Sequence, residues 1–505
     1  MSSSPTPTSP ERMGDRPHAA AVTVPFAAIV LAMLPAVLDQ TILATALPVI
    51  ATDLGSLSDV SWVVTAYVVA AAASTPLWGK LGDRHGRKRL LQVALAGFVV
   101  ASASCGVAQD ITQLIVFRLV QGAAAGGLMT LAMATVGDLV APRQRGRYQG
   151  YIAATFAVAT VVGPLLGGVL VDNAGWRWVF LVNLPLGAAA LAGVGMRLPA
   201  PPTEHPERPL DVAGAALLAG ATSALMLTCI WGGGRYAWPS APILALITAT
   251  VALSVGLVAR ERRAADPIVP FHLLGTRALA VASSALFLGT AALFSITVFV
   301  PLFLQTTTGA SPTQAGLLLV PAMLGITVST TLSGRSIART GRYKRFPVAG
   351  LALMTAALVL LAALAANPSR LATGIGLTVF GLGFGMVTQV LIVAVQNSVD
   401  RRELGIATAT TGFFRALGGA VGAAVLGAVF AAQAGSLGSE TGVHALGAAL
   451  RSDLIEAVQA VFLVAAALAA LALTVVLRLP ESPLQARPPT GPADHHQSRE
   501  GIAHG

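Results

Sequence analysis

The stretch that determines how this chain folds is VPFAAIVLAMLPAVLDQTILATALPVI, residues 24–50. Asp39 is the only ionisable side chain in this run of 27 residues. About 20 apolar residues suffice for a helix to cross a bilayer, so we predict a transmembrane helix. A carboxylate inside a bilayer is costly, which makes any intramembrane acid a candidate functional residue. Asp39 is therefore the first candidate in the chain.

The composition extends this pattern to the whole chain. Its 505 residues are 55% hydrophobic and 11% charged, with a mean hydropathy of +0.74, which is typical of neither soluble nor disordered proteins. The apolar runs are longer than the roughly ten residues of a membrane strand, which favours helices. We predict fourteen spans, at about 24–50, 60–79, 91–108, 112–137, 150–171, 178–196, 212–231, 241–259, 278–304, 313–333, 346–366, 371–396, 405–432 and 457–477.

Lysines and arginines indicate the orientation of these spans. If the N-terminus lies in the cytoplasm, 26 of the 32 Lys and Arg residues fall in the tails and cytoplasmic loops and four in the outer loops. The excess of basic residues on the cytoplasmic side predicts that both termini are cytoplasmic. The net charge of +10 is then mostly a topology signal, and we expect no nucleic-acid partner.

An internal repeat predicts the domain organisation. The loop GKLGDRHGRKR, Gly79 to Arg89, matches GRSIARTGRYK, Gly334 to Lys344, at an offset of 255 residues. Two related six-helix halves are the layout of transporters that rock around a central site. The two loops are not equivalent, because Ala338 replaces the acid Asp83 in the second copy.

The repeat predicts an all-α membrane protein of two six-helix bundles plus an inserted helix pair. The predicted units are a disordered cytoplasmic tail 1–22, a first bundle 23–197, a linker with the inserted pair 198–277, a second bundle 278–477 and a cytoplasmic tail 478–505. The first tail is rich in Ser, Pro and Thr, a composition typical of disorder.

Only three charged side chains lie inside the predicted spans: Asp39, Arg118 and Arg415. At about 1.5 Å of rise per residue, Asp39 and Arg118 reach similar depths in the outer half of the membrane, so they could pair. If movement of the bundles changes that pairing or the access of water, Asp39 can bind a proton on one side and release it on the other. The alternative is a fixed, always ionised partner of Arg118 or a helix cap.

Two further motifs concern movement. In the loop after span 2, glycines permit tight turns and Asp83 could face a helix N-terminus or a basic neighbour across the bundle interface; the alternative is an ordinary basic loop. In span 5, GPLLGG (163–168) combines a kinking proline with glycines that allow close helix packing. Polar and aromatic residues that could line a cavity are Gln40, Tyr67, Gln121, Gln305, Gln389, Phe414 and Arg415. Each of these could instead be a helix-packing contact.

Enzymatic signatures are absent from the sequence. No predicted span contains His, there is no metal-ligand spacing, and no GxxxxGK[ST] loop is present. We therefore expect no catalytic residues, no cofactor and no metal, and transport driven by an ion gradient rather than by ATP. Cys105 and Cys229 each lie in an apolar span, so a disulfide framework is not expected.

These motifs resemble those of the major facilitator superfamily, and in particular its fourteen-span drug:proton antiporters. The Gly79 to Arg89 loop is similar to the superfamily's signature loop, and LDQTILATALP, Leu38 to Pro48, to the first-helix motif of the fourteen-span group. RLVQGAAAGG from Arg118, GPLLGG, and WRWVFLVNLPLG from Trp176 to Gly187 resemble the motifs of the fourth, fifth and sixth helices.

The resemblance implies a role for each of these residue sets. It implies proton coupling by Asp39 and Arg118; a conformational latch of Gly79, Asp83, Gly86, Arg87 and Lys88; and an antiport gate of Gly163, Pro164, Gly167 and Gly168. Spans 10 and 13 lack the further acids of some relatives, which speaks against export of divalent cations and leaves Asp39 as the proton carrier.

The expected function is export of lipophilic or cationic drugs or antibiotics in exchange for protons, by alternating access. The cavity would lie between the bundles, opening inward to take up drug and outward to bring protons to Asp39. The expected location is a bacterial plasma membrane, without an obligate protein partner; an excess of Arg over Lys resembles actinobacterial proteins. The alternatives are an exporter of a lipid, amino acid or other metabolite and a membrane sensor that does not transport.

Overall fold

A computed structural model describes residues 15–54, 60–199, 211–233, 235–264, 268, 271–308, 317–365, 369–433 and 448–481. Within these ranges the chain is helical apart from turns and a single isolated bridge between Gly232 and Tyr236. The prediction of an all-α protein is confirmed. The first two helices alone are 39 and 26 residues long, lengths sufficient to cross a bilayer.

The helices fall into two bundles with a pair between them in the sequence. The first bundle contains α1 (Asp15–Asp53), α2 (Val60–His85), α3 (Arg87–Gly106), α4 (Ile111–Leu139), α5 (Pro142–Ala174), α6 (Trp178–Leu181) and α7 (Asn183–Arg197). The pair is α8 (Val212–Trp231) and α9 (Ala241–Glu261), followed by the short α10 (Phe271–Leu274). The second bundle contains α11 (Arg277–Phe294), α12 (Val300–Thr308), α13 (Val320–Thr340), α14 (Arg345–Leu364), α15 (Arg370–Ser398), α16 (Leu404–Gln433) and α17 (Ala448–Val476).

Thirteen helical segments in the described part of the chain are long and apolar enough to cross a membrane. A π-helical turn, Ser295–Phe299, joins α11 and α12 into one of these segments. The predicted span 313–333 corresponds to α13, which is not among the thirteen. Its serines, threonines and Arg335 lower its hydropathy. The count of fourteen spans therefore stays a prediction.

The N-terminal boundary differs from the expected one. Helix α1 begins at Asp15, inside the segment 1–22 that we expected to be disordered. The sequence HAAAV from His18 to Val22 contains three alanines, the strongest helix formers, so the apolar helix continues beyond the span. Residues 1–14, and the C-terminal tail beyond 481, lie outside the described residues.

Each bundle has its own hydrophobic core. Phe98 and Leu128 are fully buried in the first, Phe380 and Leu391 in the second. The two bundles approach each other through α2 with α16 and through α5 with α13. The space between the bundles therefore lies between two pairs of helices.

The two helices of the inserted pair differ in their contacts: α8 contacts both bundles, whereas α9 packs mainly on α8. In α8, the buried Met226 packs with Val69 and Ala72 of α2 and with Ala416 and Ala420 of α16. Helix α8 thus covers the seam between the bundles. Helix α9 packs on α8 and leaves most of its apolar side chains exposed, as expected for a helix that faces lipid.

Candidate functional site

Asp39 is completely buried in the first bundle and accepts hydrogen bonds from three side chains. Arg118 Nη1 lies 2.5 Å from Asp39 Oδ2. Gln121 Nε2 donates to Asp39 Oδ1 at 3.0 Å, and Asn183 Nδ2 donates to the same oxygen at 3.3 Å. The exposed fractions of the Asp39 and Arg118 side chains are 0% and 1%. The structure thus brings together the acid and the cation that the sequence places at similar depths in the membrane.

Arg118 is also held by groups of α2 and of its own helix, α4. Its Nε donates to the carbonyl oxygen of Val63 at 3.0 Å, and its Nη1 also contacts Gln121 Oε1 at 2.7 Å. The guanidinium carbon lies 4.2 Å from the centre of the Tyr67 ring, a cation–π arrangement. Because these contacts do not involve Asp39, Arg118 has partners that can hold it in place if the acid becomes neutral.

Two members of this cluster, Ser102 and Asn183, are not among the candidates expected from the sequence. Ser102 Oγ accepts from Gln121 Nε2 at 2.6 Å and from Asn183 Nδ2 at 3.2 Å, so the cluster connects α1, α3, α4 and α7. Asn183 lies inside the quoted motif WRWVFLVNLPLG, where an amide in an apolar run was the available signal. Asn183 Oδ1 is buried without a hydrogen-bond partner among the described residues.

The location of the cluster differs from the expectation that protons reach Asp39 through the cavity between the bundles. Asp39 lies inside the first bundle, surrounded by its helices, and does not line the cavity between the bundles. In this conformation neither a proton nor a substrate in the cavity reaches the carboxylate directly. Any coupling between the cavity and Asp39 must therefore pass through movement of helices.

Asp83 bridges the two bundles at one end, called here the latch end. Its carboxylate accepts hydrogen bonds from the backbone N–H groups of Gly405 at 2.9 Å and Ile406 at 2.8 Å. These residues lie in the first turn of α16, where free N–H groups and the helix dipole favour an anion. Arg87 Nη2 lies 2.6 Å from the same carboxylate and also pairs with Asp138.

The other predicted latch residues act nearby. Gly79 packs directly on α16, since a Cβ there would come 2.7 Å from the carbonyl oxygen of Gly405. Gly86, with φ of 88°, separates α2 from α3, a conformation suited to glycine. Lys88 Nζ donates to the carbonyl oxygen of Gly195 at 2.8 Å, within the first bundle.

Arg145, one of the basic residues of the predicted cytoplasmic loops, makes a contact between the bundles. Its Nη1 donates to the carbonyl oxygen of Gln396 at 3.0 Å, and its Nη2 contacts the carbonyl oxygen of Gly137 at 2.5 Å. Gln396 Nε2 in turn donates to the carbonyl oxygen of Met133 at 3.3 Å. The bundles are therefore closed against each other at the latch end.

The GPLLGG motif lies beside the Asp39 segment of α1. A Cβ on Gly163 would come 2.6 Å from Thr41 Cβ, and one on Gly167 would come 2.7 Å from the carbonyl oxygen of Ile42. Gly168 has no heavy atom within 4 Å of such a Cβ, and Pro164 is exposed. Two of the four motif residues therefore set the approach of α5 to α1.

A cavity of about 210 Å³ lies between the bundles. Its walls come from α4, α5, α13, α15 and α16, and Gln389 and Arg415 are among the residues that line it. Tyr67 and Gln121 instead belong to the Asp39 cluster. Both point into the first bundle. Gln121 shares a face of α4 with Arg118, and the ring of Tyr67 packs against the Arg118 guanidinium.

The remaining predicted cavity residues do not line this cavity. Gln40 is exposed, and Phe414 packs edge-on against Phe413 with 5.5 Å between the ring centres. The side chain of Gln305 lies outside the described residues. Among the described residues, no group of three or more His, Cys, Asp or Glu side chains could hold a metal ion.

Sequence comparison identifies the relatives of this chain. The family model of the Major Facilitator Superfamily matches residues 29–423. An uncharacterised MFS-type transporter of Mycobacterium tuberculosis is 42% identical over 407 residues, covering 80% of this chain and 59% of the relative. The multidrug transporter protein MdtP of Bacillus subtilis is 34% identical over 415 residues, covering 82% of this chain and 76% of the relative. The chain thus spans 59% of the length of the mycobacterial relative.

Solved structures show the same fold. The human organic anion transporter MFSD10 aligns with a TM-score of 0.63 at 19% identity, covering 91% of this chain and 99% of that protein. The proton:xylose symporter XylE aligns with a TM-score of 0.65 at 12% identity, covering 92% of this chain and 97% of that protein. From its two helical bundles and the match over residues 29–423, we conclude that the chain belongs to the Major Facilitator Superfamily.

Proposed function

We propose that this protein exports small lipophilic molecules in exchange for protons, by alternating access. The observation that carries the proposal is the buried ion pair of Asp39 and Arg118, 2.5 Å apart, beside a cavity that is closed at one end. A buried pair of this kind is poorly explained as a source of stability, since desolvation offsets its attraction. Relatives named efflux pumps support export as the direction of transport.

Helix α5 would couple the cavity to the acid. Phe156 and Thr160 of α5 line the cavity. About one and two turns further, Gly163 and Gly167 pack on α1 next to the Asp39 segment. Substrate that displaces α5 would therefore shift α1 relative to Arg118. Neutralising Asp39 by a proton would remove the ionic attraction and favour the opposite shift. Substrate and proton would then exclude each other through two arrangements of the same helices.

The latch contacts define the conformation. We propose that the latch end faces the cytoplasm, because the basic loops lie there, with both termini cytoplasmic in a bacterial plasma membrane. The closed latch end would then correspond to a state that opens outward. Access of protons to Asp39 from outside would then require a movement of the helices around it, and the break of the Asp83 contacts with Gly405 and Ile406 would open the cavity inward.

The direct test uses purified full-chain protein in liposomes loaded with a lipophilic fluorescent dye. An imposed proton gradient should drive dye movement against its concentration gradient, and nigericin, which collapses that gradient, should abolish it. Dye movement that is independent of the gradient, at the rate of protein-free liposomes, would contradict the proposal.

A further inference from the structure

The cavity between the bundles contains a cation without a matching anion. Arg415 lines the cavity and is accessible from it. None of the cavity-lining side chains is acidic, and no ion pair or hydrogen bond joins the Arg415 guanidinium to another residue in the described ranges. Arg415 lies eleven residues after Leu404, the start of α16, or about 17 Å along the helix axis. The charge is thus placed deep in the membrane.

The neighbouring threonines do not compensate for this charge or compete with it as donors. Thr160 donates to the carbonyl oxygen of Phe156 at 2.8 Å, Thr327 to that of Met323 at 3.0 Å, and Thr411 to that of Thr408 at 2.7 Å. Because their hydroxyl hydrogens are engaged within their own helices, these three threonines are not the donors for an anion in the cavity. An anion in the cavity would therefore find its donor at Arg415.

Gln389 provides a second polar group. Its Oε1 is buried and has no hydrogen-bond partner in the part of the chain that the structure describes, and its side chain lines the cavity together with Arg415. An amide left without a partner in a buried position is costly. Because this oxygen is an acceptor, a hydroxyl or N–H group on the bound molecule would satisfy it, whereas the anionic head itself would not.

The rest of the lining suits an apolar body. Soft thioethers and aromatic rings adapt to varied apolar shapes. The apolar lining residues include Met129, Met133, Met323, Phe156, Phe384, Ile326 and Ile392. The cavity therefore combines a broad apolar wall with one fixed positive charge.

We propose that this cavity selects amphipathic organic anions, with the anionic head on Arg415 and the apolar body against the methionine and phenylalanine wall. The inference rests on the proposed function for the statement that cargo occupies this cavity, and it names the cargo's charge. A cationic molecule would meet the like charge of Arg415 with no acid in the lining to offset it, and like charges in a region of low dielectric repel strongly. Anionic cargo thus replaces the cationic cargo expected from the sequence.

The test compares three probes that share one naphthalene body: 1-naphthaleneacetate, 1-naphthaleneacetamide and 2-(1-naphthyl)ethyl-trimethylammonium. Equilibrium binding to the full chain in nanodiscs is measured without a proton gradient. We expect the acetate to bind more tightly than the other two. Arg415→Gln should weaken acetate binding about tenfold or more and leave acetamide binding unchanged, whereas Arg415→Lys should retain most of the preference. Arg277→Gln, which removes an exposed arginine outside the cavity, should change nothing.

Tighter binding of the ammonium probe, equal binding of all three, or binding of none would overturn the inference, as would acetate binding that is unaffected by Arg415→Gln. Failure of the proposed function looks different. If the acetate preference depends on Arg415 but a proton gradient fails to drive acetate across liposomes, the anion site stands and the proton coupling is wrong.

Discussion

Gly146 of α5 and Gly334 of α13 meet backbone to backbone at the latch end. A Cβ on Gly146 would lie 2.8 Å from Gly334 Cα, closer than non-bonded carbon atoms approach. Gly334 is the repeat partner of Gly79, which makes the corresponding close contact with Gly405 of α16. The internal repeat therefore places a glycine at both seams between the bundles.

Gly146→Ala should open the latch end. Overpacking of a tight contact costs about 1–3 kcal/mol, and here separating the bundles relieves it. We expect spin labels at His85 and Thr340, one on each bundle, to report a longer distance in a larger fraction of molecules. The matched control is Gly374→Ala, where a Cβ has no atom within 4 Å. Unchanged distances in Gly146→Ala would show that this contact does not determine closure.

Asp83→Asn should open the same end, whereas Asp138→Asn should not. Both carboxylates pair with Arg87, but only Asp83 accepts from the backbone of α16. Loss of a buried charge pair costs about 2–5 kcal/mol, and part of this acts between the bundles. The same two spin labels measure the effect. Equal distance changes in the two variants would show that Arg87, rather than the bridge to α16, holds the bundles.

Gly167→Ala and Gly168→Ala test the contact of α5 with α1. The first Cβ would approach the carbonyl oxygen of Ile42 to 2.7 Å, and the second meets open space. We expect gradient-driven dye efflux to fall about tenfold or more in Gly167→Ala, because one misplaced helix can disturb a site by that much. Efflux should be retained in Gly168→Ala. Loss of efflux in both variants to the same extent would contradict transmission through this contact.

Asp53, at the end of α1, predicts a pH dependence of stability. Trp176 Nε1 donates to its Oδ2 at 2.7 Å and Arg177 Nη1 at 3.2 Å. These hydrogen bonds, chiefly that from Trp176, hold the pKa of Asp53 below its ordinary value of 3.8. Because the folded pKa is below the unfolded one, the stabilisation is present above 3.8 and is lost as the pH falls through the folded pKa.

The melting temperature of detergent-solubilised protein measures this effect. At neutral pH the wild type should melt at a higher temperature than Asp53→Asn, and the difference should disappear well below pH 3.8. Asp172→Asn, an exposed acid, serves as the control. A difference that persists unchanged into strong acid would contradict the assignment to the Asp53 carboxylate.

Much of the fold is predictable because the length of an apolar run can be read directly from the sequence and the helical rise per residue is fixed. The positions of the spans and the matching depths of Asp39 and Arg118 follow from them. Gln121 is among the residues expected in the cavity, although its spacing of three residues from Arg118 places both on one helix face. That spacing was sufficient to assign Gln121 to the Asp39 cluster.

The remaining partners depend on how helices rotate against one another. Ser102 and Asn183 each belong to a helix whose orientation toward α1 is set by packing, and no spacing in the sequence relates them to Asp39. Arg145 looked like any basic loop residue until α15 brought the carbonyl of Gln396 within 3.0 Å of it. These two residues are 251 positions apart in the chain, so no local sequence pattern predicts their contact.

The central claim is that the Asp39 carboxylate carries the exchanged proton. The measurement that tests it most directly is substrate-dependent proton release from detergent-solubilised or liposome-embedded protein, recorded with a pH-sensitive dye, in wild type, Asp39→Asn and Asp172→Asn. The account predicts release in the wild type and Asp172→Asn and none in Asp39→Asn, although that variant still inserts and still binds substrate. Proton release of normal size from correctly inserted Asp39→Asn would contradict it.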